Sequence, residues 1–186
     1  TTVIFNRSAL LFAGEDGVAA VSIIMYLQFL CIGIYFGFSM GLSTPLGYAY
    51  GDRNFSVCRV LEKYAYRFFA IAPIILYGCT YLLTPIGVRF FASPGSTVFD
   101  MAVSGLRLYG LGFLFSGINI FAAIRMMTYG KGYISGMITF LRSFALLLLF
   151  LTVLPRFLEL NGIWLAVPAA EILTLIVALW TLRKKL

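Results

Sequence analysis

Long apolar runs, separated by short clusters of charge, glycine and proline, organise this chain from end to end. The most telling run extends from Gly17 to Gly51 without one charged side chain. Roughly 20 apolar residues in helical form already cross the ~30 Å hydrocarbon core of a bilayer. The pattern predicts the tail of a helix over about 1–12, then helices over about 17–43, 56–84, 98–124, 132–154 and 162–182. The breaks are Ala13-Gly14-Glu15-Asp16-Gly17, the stretch from Ser43 to Asn54, Thr84-Pro85-Ile86-Gly87 with Ser93-Pro94-Gly95, and Pro155. Pro73, inside the third segment, predicts a kink. Barrel strands would show segments of about ten residues with alternating polarity, whereas these runs are continuous and long.

Composition turns this pattern into a class. Hydrophobic residues make up 61% and charged residues 11%, with a mean hydropathy of +0.97. Soluble domains carry about 25% charge, and one of this length leaves too much surface exposed to hide so apolar a sequence. The expected fold is an all-α membrane protein. The net charge of +7 then argues for loops on the cytoplasmic side rather than for nucleic acid. One face collects Arg53, Arg59, Lys63, Arg67, Arg125, Lys131, Arg142, Arg183, Lys184 and Lys185. The other holds Arg7, Arg89, Arg107 and Arg156 beside Glu15, Asp16, Asp100 and Glu159. The first face is expected to be cytoplasmic, placing the C-terminus inside a multi-pass protein of the inner (plasma) membrane. Arg53, Arg59, Lys63, Arg125 and Lys131 read as topology anchors and inner-leaflet phosphate contacts.

Little points to catalysis. The sequence has no histidine, which removes the usual general base and His-ligated zinc. Cys31, Cys58 and Cys79 sit in or beside apolar runs without metal-ligand spacing and read as small buried hydrophobes. There is no nucleophile–base pair and no phosphate loop, so neither an enzyme nor direct use of ATP is expected. No cofactor or metal is expected either.

The polar residues within the runs carry more information. Glu171 reads as the one carboxylate deep inside an apolar helix, where an uncompensated charge is expensive. Arg142, in the preceding antiparallel segment, lies at nearly the same depth, counting 1.5 Å per residue. The two form either a structural ion pair or, through Glu171, a proton or cation site. Pro168, one turn before Glu171, leaves the carbonyl of Trp164 without its helical donor. Tyr26, Gln28, Tyr35 and Asn119 are further mid-helix polar groups that must face protein or a water-filled cavity. The stripe Gly33-x-x-x-Gly37-x-x-x-Gly41 is expected to let another helix approach closely, or to serve as a seam that bends.

Four places in order resemble the second half of a MATE (multidrug and toxic compound extrusion) transporter, in its bacterial multidrug branch. Asn6 with Gly14-Glu15-Asp16-Gly17-Val18-Ala19-Ala20 resembles the end of the seventh helix and the turn into the eighth. Gly41 through Gly51-Asp52 resembles the loop between helices eight and nine. Arg107-Leu108-Tyr109 and Gly117-Ile118-Asn119 are similar to the tenth helix. Leu154-Pro155 and the run Asn161-Gly162-Ile163-Trp164-Leu165-Ala166-Val167-Pro168-Ala169-Ala170-Glu171 resemble the start of the twelfth. The resemblance implies twelve helices in two six-helix bundles with a drug cavity between them. It also implies export of lipophilic cations and toxic compounds by antiport with Na⁺ or H⁺. On this reading residues 1–186 hold five complete helices and the end of a sixth, and the N-terminal bundle is missing and expected as a partner. The coupling ion stays open, since its ligands often lie in the missing part.

A cavity for organic cations wants aromatic faces and neutral acceptors. Gln28, Tyr35 and Asn119 are its candidate lining; Gln28 and Tyr35, seven apart, share a helical face. Helix–helix hydrogen bonding is the alternative for each. Two other functions stay open. A flippase for lipid-linked oligosaccharide or peptidoglycan precursors, of the same broader fold group, would want a more cationic cavity. A non-transporting scaffold subunit would need no polar cavity.

Overall fold

The computed structural model describes residues 2–183; Thr1, Lys184 and Lys185, counted in the expectations above, lie outside the described residues. The elements are α1 (Thr2–Gly51), α2 (Phe55–Val88), α3 (Thr97–Tyr109), a 3₁₀ turn (Gly110–Gly112), α4 (Phe113–Thr128), α5 (Gly132–Phe140), a π-turn (Leu141–Ala145), α6 (Leu146–Val153) and α7 (Pro155–Arg183). They form five stretches long and apolar enough to span a membrane: Thr2–Gly51, Phe55–Val88, Thr97–Thr128, Gly132–Val153 and Pro155–Arg183. The first stretch is itself two helices, since Gly14 breaks it with φ 62 and ψ −151. The result is five long helices preceded by a shorter one over residues 2–13.

Thr97–Thr128 is the central and most buried span. Its side chains Ala102, Leu106, Phe113, Ile120 and Phe121 meet Ile24 and Tyr35 of α1, Phe69 of α2 and Trp164 of α7 in one apolar core. Glycine permits this crowding. A Cβ at Gly105 would lie 2.7 Å from Ile24 and 2.9 Å from Trp164. At Gly117 it would lie 2.7 Å from Phe69 and 3.2 Å from Tyr35. Contacts under 3.0 Å force something to move, so glycine is what lets these helices touch. A second apolar cluster, of Leu46, Ala49, Cys58, Ala122, Met126, Tyr129 and Ile138, closes the opposite end of the bundle.

Several boundaries differ from the sequence expectation. The helix expected to stop near residue 43 continues through Pro45 to Gly51. Leu46 and Ala49 are buried in the second cluster, and the Ser43 hydroxyl donates to the Met40 carbonyl at 2.7 Å. Packing and a side-chain donor near the broken ladder make this proline tolerable, as is common in membrane helices. The supposed loop therefore shrinks to residues 52–54, where the Asn54 side chain caps α2 by accepting from the Val57 amide at 3.3 Å. Likewise Thr84-Pro85-Ile86-Gly87 is helical, with Thr84 and Val88 buried. The span beginning at Thr97 runs to Thr128, and α7 begins at Pro155 with a break at Glu159 (φ 49, ψ −128). Gly33, Gly37 and Gly41 make no close contact with the helices described. All three are exposed, and nothing lies within 4 Å of a Cβ built on any of them. That face points away from the helices described.

Candidate functional site

A cleft of about 400 Å³ opens among the two segments of α1, the central span, the π-turn and α7. Half of its lining is apolar, including Phe5, Met25, Phe29, Phe36, Phe113 and Leu147. The other half is polar: Thr2, Gln28, Tyr109, Ser116, Thr139, Arg142, Ser143 and Glu171. Apolar walls with convergent polar groups are the usual form of a small-molecule site.

Its charged centre is a pair. Arg142 Nε donates to Glu171 Oε1 at 2.8 Å. The second carboxylate oxygen, Oε2, accepts from Asn119 Nδ2 at 2.7 Å, and the same nitrogen reaches the Glu171 backbone carbonyl at 2.9 Å. Both oxygens of a carboxylate 18 Å or so from the C-terminal end of α7 are thus occupied. The ion pair, one of the two alternatives for these residues, is the arrangement present. Arg142 lies within the π-turn, the five-residue widening of its helix at Leu141–Ala145. Such turns recur at functional sites, where they re-aim a side chain without ending the helix.

The sequence candidates divide here. Gln28, Arg142 and Glu171 line the cleft. Tyr35 does not: it is fully buried, and its hydroxyl donates to the Phe113 carbonyl at 2.9 Å, pinning α1 to α4. Asn119 is also fully buried behind the wall, bonded to Glu171. Tyr26 is exposed and stacks on Phe91 with centroids 6.0 Å apart, away from the cleft. Tyr109, to which the sequence reading assigned no role, lines the cleft and donates its hydroxyl to Gln28 Oε1.

A second buried ionic cluster corrects the reading of Glu171 as the one deep carboxylate. Glu62 of α2 is buried and accepts from Arg125 Nε and, at 2.6 Å, from the Tyr129 hydroxyl. Arg125 is 3% exposed, so it is a partner in the core rather than a contact to lipid phosphate. Its guanidinium also lies over the Tyr129 ring, 5.0 Å from the centroid. The sequence signal was the pairing of one acidic and one basic residue near helix ends that meet at the same membrane face.

Comparison with known proteins follows the same lines. The MatE family model matches residues 2–154. Among solved structures, the chain is similar to an outward-facing multidrug resistance MATE family transporter of the MOP superfamily, at 22% identity and TM-score 0.85, over 96% of this chain and 41% of that one. It is similar to an inward-facing multidrug resistance MATE family transporter at 21% identity and TM-score 0.86, over 96% and 42%. A MOP superfamily transporter from Pyrococcus furiosus, whose binding pocket has reverse polarity, is matched at 22% identity and TM-score 0.85, over 96% and 41%. No curated protein matches the sequence. At these identities the solved structures speak to the fold, and the chain spans about two fifths of their length. The family match over most of the sequence and the shared all-helical fold make this chain a member of the MATE family of multi-pass membrane transporters.

Proposed function

We propose that the transporter to which this bundle contributes exports lipophilic organic cations and other toxic compounds as a secondary antiporter, driven by inward Na⁺ or H⁺. The observation that carries this reading is the cleft: aromatic and thioether walls around a charged pair that neutralises itself at 2.8 Å. Aromatic faces attract organic cations, and a wall without net formal charge does not repel them. The multidrug resistance transporters sharing the fold support the same substrate class. In this reading a second bundle covers the open face bearing Gly33, Gly37 and Gly41, small residues of the kind that let membrane helices meet. The bundle sits in the inner membrane with its C-terminus cytoplasmic, following the distribution of Lys and Arg.

Full-length transporter in liposomes tests this directly. An imposed inward Na⁺ or H⁺ gradient should drive ethidium out, and Gln28→Ala should weaken that flux while leaving membrane insertion intact. Dye movement indifferent to both ions, together with transfer of a polyprenyl-pyrophosphate lipid, would replace efflux with lipid flipping.

A further inference from the structure

The cleft has a polarity that its neutral charge sum conceals. Every acceptor of Glu171 is engaged: Oε1 by Arg142 Nε, and Oε2 and the backbone carbonyl by Asn119 Nδ2. Both members of the pair line the cleft, and the Arg142 side chain is the more exposed, at 14% against 5% for Glu171. Arg142 uses only Nε among the described residues, which leaves its two terminal nitrogens as donors. Gln28 repeats the pattern. A buried phenol must place its proton on an acceptor, and Tyr109 gives it to Gln28 Oε1. The Gln28 amide nitrogen, with two hydrogens, has no partner among the described residues and belongs to the same lining. Arg142 and Gln28 therefore offer a ligand hydrogen-bond donors, one of them cationic, beside the hydroxyl oxygens of Ser116 and Thr139, whose protons are held by backbone carbonyls.

We propose that this wall is a subsite for a carboxylate carried by an aromatic, cationic substrate. The carboxylate would accept from the terminal nitrogens of Arg142, whose planar fork suits two oxygens, and from the Gln28 amide. The aromatic body would lie against Phe29, Phe36 and Phe113. The assignment rests on the efflux reading and narrows it: among cationic amphiphiles, those that are also carboxylates are held by this half of the transporter.

Rhodamine B and its ethyl ester share one cationic ring system and differ in the carboxylate, so they isolate the claim. Binding to the full-length protein in nanodiscs, read by fluorescence anisotropy, should favour the acid by about tenfold, the scale of a hydrogen bond to a charged group. Gln28→Leu should lower binding of the acid more than binding of the ester, and so reduce that preference. The double variant Arg142→Met with Glu171→Gln removes the pair without leaving a lone charge, and should abolish the preference. Arg142→Lys, which keeps the charge and loses the fork, should retain a part of it. Equal binding of acid and ester by the unmodified protein, or a preference that survives the double variant, overturns the subsite while leaving efflux intact. Failure of either dye to bind, with no gradient-driven transport of ethidium, overturns efflux and the subsite together.

Discussion

Glu62 and Glu171 pose the same physical problem and solve it alike, each with an arginine Nε and a second donor. Neutralising one carboxylate by Glu→Gln strands a guanidinium in a low-dielectric setting, a loss of about 3–5 kcal/mol for a buried pair. Replacing the arginine by Met in the same molecule should recover much of it. Additive losses in a double-mutant cycle, measured by unfolding in detergent, would contradict direct coupling. The two pairs were not equally legible. Arg142 and Glu171 lie 29 residues apart on consecutive antiparallel spans, so counting depth along each helix brings them level. Glu62 and Arg125 lie 63 residues apart on spans consecutive in sequence too, but both sit near charged loop ends, where a solvated or lipid-facing side chain is the ordinary outcome. Burial there depends on Cys58, Ala122 and Tyr129 closing over them, and no pattern in the sequence announces that. Tyr35 and Asn119 were legible as polar groups needing partners; whether the partner was a cavity or a neighbouring helix depended on packing.

Between residues and the whole lie the helices, and here glycine context decides the effect of substitution. Gly117→Ala must displace Phe69 or Tyr35 and should destabilise by about 1–3 kcal/mol, as overpacking does. Gly37→Ala meets open space within this bundle, and in the bundle by itself it should be neutral, or stabilise through helix propensity by up to about 1 kcal/mol. Thermal unfolding of the two variants separates the cases, and similar shifts would mean that the Gly37 face is covered. The number and order of helices followed from apolar run length because the bilayer sets it. Their ends did not. Pro45 and Pro85 read as stops, yet both helices pass through them, since burial of Leu46, Thr84 and Val88 outweighs one missing backbone donor. The π-turn at Leu141–Ala145 was not legible, because Arg142 and Ser143 read as polar residues within one continuous helix.

At the scale of the molecule, successive helices alternate direction, so the break at Gly14, the segment 89–96 and the break at Glu159 share one face. Residues 52–54 and 129–131 share the other. Two of the three connections on the first face are reduced to a single reversed residue, where Gly162 packs so closely that a Cβ would sit 2.5 Å from the Leu154 backbone. A short epitope inserted between Pro94 and Gly95, both exposed, should be displayed without loss of folded protein. The same insert at Gly14 or Glu159 should leave the transporter aggregated. Antibody staining of intact cells then reports sidedness: label without permeabilisation fits a cytoplasmic C-terminus, and label only after permeabilisation reverses it. The consequence reaches beyond the bilayer. Residues 89–96 are the longest stretch outside a helix on that side, beside the exposed turns at 14–16 and 156–159, and so the readiest grip for an antibody, a protease or a phage. Immune recognition and proteolytic trimming of this half of the transporter should converge on that one short tether.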